Sequence, residues 1–144
     1  MNETSLAHHC QSIAARLKAD KQTVAIAESS TGGLISASLL AVPGASAYYV
    51  GGTVIYTAQA RKLLMGVTAQ DVADLKPLTE PMAEHFAQRI RDQFGATWGI
   101  AELGVAGPTP ARYGNEPGVS VIAVVGPRTK SLLIQTGLSE RAEN

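Results

Sequence analysis

The sequence predicts an α/β sandwich with a mainly parallel sheet. Segments with the 3.6-residue period of helices alternate along the chain with short segments rich in β-branched residues, which is typical of a sheet with helical crossovers. The last two predicted strands, Val119–Val125 and residues 130–136, are joined only through Gly126-Pro127 and should therefore pair antiparallel. A chain of 144 residues is long enough for one domain with a substantial core.

The first half of the chain predicts a helix, a strand, a second helix and a second strand. The first helix has one apolar face, made of Leu6, Ala7, Cys10, Ile13, Ala14 and Leu17. A strand follows over residues 23–27, and the second helix, carrying Leu34 and Leu40, should end at the Pro43-Gly44 turn. Residues 48–56 are typical of a strand, and Gly51-Gly52 indicates a bend or a close approach of another group.

The second half predicts three helices and three strands. Short helices are expected over residues 59–65 and 70–75, and Thr79 is expected to cap a longer helix. That helix has one apolar face, made of Met82, Ala83, Phe86, Ala87, Ile90 and Phe94. A strand over Trp98–Gly104 precedes the two final strands. Residues 107–118 form a loop of a length that is uncommon unless the loop has a function.

Charge and cysteine content argue against several classes of function. Lys and Arg number 12, as do Asp and Glu, so the formal net charge is zero and a nucleic-acid partner is not expected. The single cysteine, Cys10, excludes an internal disulfide and any multi-cysteine metal site. His8 and His9 are adjacent on a helix and point apart, so we expect no metal site there either.

Hydropathy predicts a cytoplasmic protein with no membrane partner. The sequence contains no apolar run long enough to span a bilayer and no signal peptide. Assembly into homo-oligomers is left open, because the Val-rich strands would fit a core and a subunit interface equally well.

The segment Ala-Glu-Ser-Ser-Thr-Gly-Gly, residues 27–33, joins the first predicted strand to the second helix. Three adjacent hydroxyls (Ser29, Ser30 and Thr31) precede Gly32 and Gly33, and a helix N-terminus there would offer N–H groups to an anion. A cap of the helix with no chemistry is the alternative. Ligands of open α/β sheets bind beyond the carboxyl ends of the strands, so residues 28–33, 57–59 and 104–118 should converge on one site.

Five blocks of the sequence are distinctive when taken together: Ala27 to Gly33, Val42-Pro43-Gly44-Ala45-Ser46-Ala47-Tyr48, Gly51 to Tyr56, Gly66-Val67 and Gly104-Val105-Ala106-Gly107-Pro108. In this order and spacing they resemble one known family, the C-terminal domain of the competence/damage-inducible protein CinA. Stand-alone versions of that domain are nicotinamide-nucleotide amidases. The resemblance implies a three-layer α/β/α sandwich around a mixed sheet of about five strands. It also implies hydrolysis of the carboxamide of nicotinamide mononucleotide to nicotinate mononucleotide and ammonia, with no metal or other cofactor.

The resemblance also implies roles for individual residues. The family's nucleophilic serine falls on Ser29, its second serine on Ser46, and its tyrosine, a candidate for moving the proton, on Tyr56. Its arginine near the end of the domain falls on Arg141. The family lysine falls on Arg61, which would supply fixed positive charge because a guanidinium cannot act as a base at neutral pH.

The last predictions concern the residues that bind the anion and the positions at which the sequence departs from the family. Ser46 and the N–H groups of Thr31, Gly32 and Gly33, with Ser30 beside them, are expected to hold an oxyanion or a phosphate. The loop over residues 107–118 carries Arg112 and Tyr113 where the family has more glycine, and Leu103 replaces a family hydroxyl. Residues 1–144 are expected to form one domain of this kind without the family's final helix, so one face of the sheet should lack a cover.

Two functions from different classes follow. The first is an amidohydrolase acting on a carboxamide C–N bond of a nucleotide-like substrate, with Ser29 as nucleophile and Arg61 in place of the family's base. The second is a CinA-like protein that binds a nucleotide or another anion without catalysis. Glu28 has two interpretations as well: it orients Arg61 or a ribose hydroxyl, or it caps the next helix.

Overall fold

A five-stranded sheet lies between two layers of helices. The computed structural model describes residues 3–144, and Met1 and Asn2 lie outside the described residues. The helices are α1 (Glu3–Ala19), α2 (Leu34–Leu40), α3 (Ala58–Met65) and α4 (Glu80–Phe94). The strands are β1 (Val24–Glu28), β2 (Tyr49–Val54), β3 (Trp98–Gly104), β4 (Val119–Val125) and β5 (Lys130–Gln135), and a 3₁₀ turn spans Ala45–Ala47.

The sheet is mixed, with the strand order β2-β1-β3-β4-β5. Strand β1 is parallel to both β2 and β3, whereas β4 is antiparallel to both β3 and β5. All strands except β4 therefore run in the same direction. The predicted α/β sandwich, with a mainly parallel sheet and an antiparallel final hairpin, is confirmed.

Helix α4 covers one face of the sheet. Its buried residues Met82, Ala83, Phe86, Ala87 and Ile90 pack on alternate residues of the strands, which are Ala25, Ala27, Ala101, Leu103, Val119, Val121, Ala123 and Val125. The contact is close at Gly99, where a Cβ atom would lie 2.0 Å from the carbonyl oxygen of Ala87. Burial of each large side chain here contributes about 1.5–3 kcal/mol. This layer anchors the strands whose ends carry the site.

Helices α1 and α2 form the second helical layer on the opposite face. The cluster beneath them contains Cys10, Ala14, Leu17, Val24, Ile26, Leu39 and Tyr48. Tyr48 is fully buried, and its hydroxyl donates a hydrogen bond to the carbonyl oxygen of Leu39, which satisfies the buried phenol.

The second layer covers only part of its face of the sheet. On the side of β4 and β5 away from α4, Ile122 and Val124 are half-buried, and Leu132 and Ile134 of β5 are exposed. A groove of ≈ 800 Å³ lies between α1, α2 and the sheet and reaches Val124.

Two element predictions need correction. The helix expected over residues 70–75 is absent, and that segment forms successive turns in which Asp71, Ala73 and Leu75 each donate to the carbonyl three residues earlier. Pro77 disfavours helical geometry at the residue before it, and so short a segment cannot offset the cost of helix nucleation. Thr79 is the N-cap of α4, but its hydroxyl donates to the Lys76 carbonyl and caps no N–H of the helix.

The glycines of β2 are packed closely, as the sequence predicted. A Cβ atom at Gly51 would lie 2.3 Å from the Phe94 ring, and one at Gly52 would lie 2.8 Å from the Ile26 carbonyl oxygen. Across residues 3–144, no helix has the length and the apolar character that a membrane span requires.

Candidate functional site

The carboxyl ends of β1, β2 and β3 lie at the same edge of the sheet. Glu28 is paired with Val54 at the ends of β1 and β2, and β3 runs parallel to β1. The Ile55 N–H extends this pairing by donating to the Glu28 carbonyl at 2.6 Å. The segments that follow these strands therefore converge at one edge, as the sequence predicted.

The first feature of this edge is a buried carboxylate, Glu102 of β3, which has no solvent exposure. Its Oε2 accepts from the N–H groups of Ser29 at 2.9 Å and Thr31 at 3.1 Å. The Thr31 hydroxyl lies 2.8 Å from the same oxygen, and the Ser30 hydroxyl donates to Oε1 at 2.5 Å. Two backbone N–H groups and the Ser30 hydroxyl thus converge on one carboxylate, and the Thr31 hydroxyl lies close to it as well.

Glu28 of β1 is a second buried carboxylate on the same side of the sheet. It accepts from the N–H groups of Ile35 and Ser36, both at 2.9 Å, in the first turn of α2. Its Oε1 also lies 2.7 Å from the Thr31 hydroxyl. Of the two interpretations of Glu28, the structure therefore supports the helix cap, in which its negative charge faces the positive end of the helix dipole.

These contacts argue against the predicted anion site at Ser30, Thr31 and Gly32, whereas a role for the Gly33 N–H stays a prediction. The Thr31 N–H and the Ser30 hydroxyl are bound to Glu102, and the Gly32 N–H donates to the Ser29 carbonyl. The carboxylates of Glu28 and Glu102 already accept hydrogen bonds at this helix end, and their negative charge repels a further anion. Ser30, Thr31 and Gly32 are therefore part of the loop's own structure.

Ser29 differs from the two hydroxyl residues that follow it. Its backbone N–H donates to Glu102 and its carbonyl accepts from Gly32, whereas no hydrogen bond of its Oγ is found within residues 3–144. Because no fully buried side-chain oxygen of the described residues lacks a hydrogen-bond partner, this Oγ keeps some contact with solvent. The residue is 5% exposed, so access to the hydroxyl is narrow. Among the three adjacent hydroxyls, Ser29 is the one left available to a ligand.

Tyr56 and Arg141 meet at the same edge, although 85 positions separate them. An Arg141 Nη2 atom donates to the Tyr56 hydroxyl at 3.2 Å, and Nη1 donates to the Gly107 carbonyl. The C-terminal segment is brought there by Asn144, whose amide donates to the Ala106 carbonyl at 2.9 Å. Because the Tyr56 oxygen accepts from Arg141, its own proton remains available to a second partner.

Arg61 is half-buried in α3, the helix that follows the end of β2. Its Nε donates to the Ile55 carbonyl at 3.3 Å, and its guanidinium lies 5.1 Å from the centroid of the Phe86 ring, a cation–π contact. Burial lowers the pKa of Arg61 from its ordinary value, and nearby Tyr113 partly offsets this effect. The guanidinium nevertheless remains charged at any physiological pH.

Neither arginine is neutralised by a carboxylate. Arg16–Asp20 is the one ion pair within residues 3–144, and it lies on α1. Arg61 and Arg141 therefore place positive charge at the edge where β2 ends.

Ser46 does not join the group. It lies in the 3₁₀ turn before β2, and the first residue of β2, Tyr49, is paired with Val24 at the start of β1. Ser29 follows the other end of β1, five residues or about 16 Å further on. The prediction that Ser46 lines the same pocket as Ser29 of its own chain is therefore wrong. The direction of the parallel strands puts Ser46 at the opposite edge of the sheet.

The sequence analysis missed Glu102. The available signal was an acidic residue inside the apolar strand Trp98–Gly104, where a charge is buried only if it has partners. Within the described residues, no group of three or more His, Cys, Asp or Glu side chains could hold a metal ion.

The fold and the site define a class of protein: a three-layer α/β/α domain with a polar site at the carboxyl edge of a mixed sheet. The chain belongs to the CinA C-terminal domain family, whose model matches residues 6–143. This finding confirms the resemblance drawn from the sequence motifs.

Individual relatives agree with this assignment. A CinA-like protein of Anaeromyxobacter sp. strain K is 39% identical over 115 residues, which are 80% of this chain and 28% of that protein. A CinA-like protein of Synechococcus sp. strain CC9902 is 38% identical over 114 residues, 79% of this chain and 27% of that protein. The chain thus spans about a quarter of the length of these curated relatives.

A solved structure shares the fold. The crystal structure of a competence-damaged protein (CinA) superfamily protein from Enterobacter cloacae superposes with a TM-score of 0.86 at 27% identity. The superposition covers 95% of this chain and 81% of the other.

Proposed function

We propose that the edge beyond β1, β2 and β3 binds a nucleotide-like anion and hydrolyses its carboxamide, as the resemblance to nicotinamide-nucleotide amidases implies. The observation that carries the proposal is the pair of arginines without carboxylate partners, Arg61 and Arg141, around Tyr56. A half-buried guanidinium has lost part of its hydration, so an anion that contacts it gains more than it would at the surface.

The anion binds on the side of Arg61 and Arg141 and not at the N-terminus of α2. In the first turn of that helix the N–H groups of Ile35 and Ser36 already donate to Glu28, and the loop before it donates to Glu102. A substrate phosphate or carboxylate placed there would meet two buried negative charges. Ser46, at the opposite edge of the sheet, takes no part in this site of one chain.

Ser29 is the nucleophile of the proposed reaction. Its oxygen attacks the carboxamide carbon and loses its proton, the C–N bond breaks, and the nitrogen leaves as ammonia after taking up a proton. Water then cleaves the resulting ester, which releases the carboxylic acid and restores the hydroxyl. Tyr56, which accepts from Arg141 and keeps its own proton free, is the group proposed to carry the proton.

The reaction should be slow, because Arg61 cannot take a proton from Ser29. Loss of a general base costs about 10²–10⁴-fold in rate. One specific observation favours the second candidate function, a protein that binds the nucleotide without hydrolysing it: within residues 3–144 no hydrogen bond joins the Ser29 hydroxyl to a base, and Arg61 directs its Nε to the Ile55 carbonyl instead.

Two measurements on the purified chain separate these functions. Titration calorimetry with nicotinamide mononucleotide measures binding, and ammonia release from the same compound measures hydrolysis. Binding with slow release supports the amidase, and binding without any release supports the second candidate. Absence of binding would reject both. Arg128→Ala is the matched control, because Arg128 is exposed in the β4–β5 turn at the other edge of the sheet.

A further inference from the structure

Glu102 occupies the position that an external anion takes in an anion-binding turn. Its carboxylate is fully buried and accepts from the N–H groups of Ser29 and Thr31 and from the Ser30 hydroxyl. Consecutive N–H groups that converge in this way form a concavity suited to a negative group. Here the negative group is the carboxylate of Glu102 in β3, which lies more than 70 positions from the loop in the sequence.

We propose that Glu102 is an internal anion that shapes the residue 29–31 loop and thereby makes Ser29 the one hydroxyl of three that can react. The Ser30 hydroxyl donates to Glu102, and the Thr31 hydroxyl lies within hydrogen-bond distance of both Glu28 and Glu102, whereas no hydrogen bond of the Ser29 hydroxyl is found within the described chain. Glu102 does not touch the substrate in this account, so it is a positioning residue.

Glu102 also determines which ligands the residue 29–31 loop can bind. While Glu102 accepts hydrogen bonds from the donors of the loop, those donors are not available to the anionic group of a ligand. Truncating the Glu102 side chain should therefore convert the loop into a site for a small external carboxylate. The catalytic part of the inference rests on the proposed function, but the internal-anion part does not.

The decisive experiment is rescue of Glu102→Ala by sodium formate. This substitution leaves a cavity lined by the donors that Glu102 satisfied, and the melting temperature should fall by roughly 5–10 °C. Formate should raise it again in proportion to the logarithm of its concentration, whereas sodium chloride at equal ionic strength should not. If Glu102→Ala is unfolded without formate, formate-dependent folding followed by circular dichroism is the same test.

Two variants are matched controls. Glu102→Gln fills the cavity with a neutral side chain of equal size, so it should be destabilised but not rescued by formate. Glu84→Ala removes a carboxylate that accepts from the Ser131 hydroxyl at 2.6 Å on the far side of α4, and it should show no response to formate. Equal responses of Glu102→Ala and Glu84→Ala would overturn the inference.

A kinetic measurement tests positioning separately. For nicotinamide mononucleotide, Glu102→Gln should lower kcat about 10²-fold and change KM little, because Arg61 and Arg141 still hold the anion. An unchanged kcat, or a change confined to KM, contradicts the positioning role. If wild type binds and hydrolyses nothing, the proposed function fails while formate rescue still decides whether Glu102 is the internal anion.

Discussion

Glu28 and Glu102 stand side by side at the ends of neighbouring parallel strands, one residue beyond the paired positions Ala27 and Ala101. Both carboxylates are buried, and the Thr31 hydroxyl lies between them, 2.7 Å from Glu28 and 2.8 Å from Glu102. Two like charges at this distance repel each other unless donors surround them. The loop between β1 and α2 supplies those donors, and for that reason the structure uses this loop for its own carboxylates.

Arg61→Lys should raise ammonia release from nicotinamide mononucleotide by about 10²-fold or more. The burial that lowers the pKa of Arg61 would also lower that of a lysine at this position, so part of the lysine would be neutral and could act as a base. Activity of this variant should therefore rise with pH. Fast turnover by wild type that Arg61→Lys leaves unchanged would mean that the base lies elsewhere.

Ser29→Ala and Ser30→Ala should have opposite effects on activity and stability. No hydrogen bond of the Ser29 hydroxyl is found within residues 3–144, so its removal should abolish ammonia release and leave the free energy of unfolding nearly unchanged. The Ser30 hydroxyl donates to Glu102, so its removal should cost about 1–3 kcal/mol of stability and leave detectable release. Ammonia-release assays and urea denaturation of both variants test this prediction. Loss of ammonia release in Ser30→Ala alone would assign the nucleophile to Ser30.

Arg141→Ala should weaken nucleotide binding about tenfold, which corresponds to about 1.4 kcal/mol. The substitution removes one of the two guanidinium charges at this edge together with the hydrogen bonds to Tyr56 and Gly107. Titration calorimetry measures the effect, with Arg128→Ala as the control that should bind like wild type. Equal affinity of all three proteins would remove Arg141 from the site.

Asp71 should stabilise the turn after α3 only above acidic pH. The N–H and the hydroxyl of Thr68 hydrogen-bond this carboxyl and hold its pKa below the ordinary value of 3.8. A lowered folded-state pKa means that the contribution is complete above that value and is lost as the pH falls through the lower one. Hydrogen exchange at Thr68 should thus be faster in Asp71→Asn than in wild type at neutral pH, and the difference should vanish in strong acid. A difference that persists there contradicts this origin.

Much of the fold was predictable because it rests on local patterns. The alternation of segments with the helical period and segments rich in β-branched residues predicted all five strands. Two of these strands, Trp98–Gly104 and Val119–Val125, have the predicted bounds. The helix expected over residues 70–75 was wrong, since turn residues and Pro77 prevailed over a weak helical pattern in so short a segment.

The sequence by itself predicted a mainly parallel sheet with an antiparallel final hairpin, and hence that Ser29, Tyr56 and the loop after β3 share one edge of the sheet. Only the tertiary structure decided which groups at that edge are free. Glu102 acquires its role from donors more than 70 positions away, and Arg141 reaches Tyr56 across 85 positions. Ser46 was assigned to the wrong edge because the family motif was followed, although Ser46 precedes β2 and therefore lies where the parallel strands begin. Hydrogen bonds between distant strands depend on three-dimensional register, which a local sequence pattern does not encode.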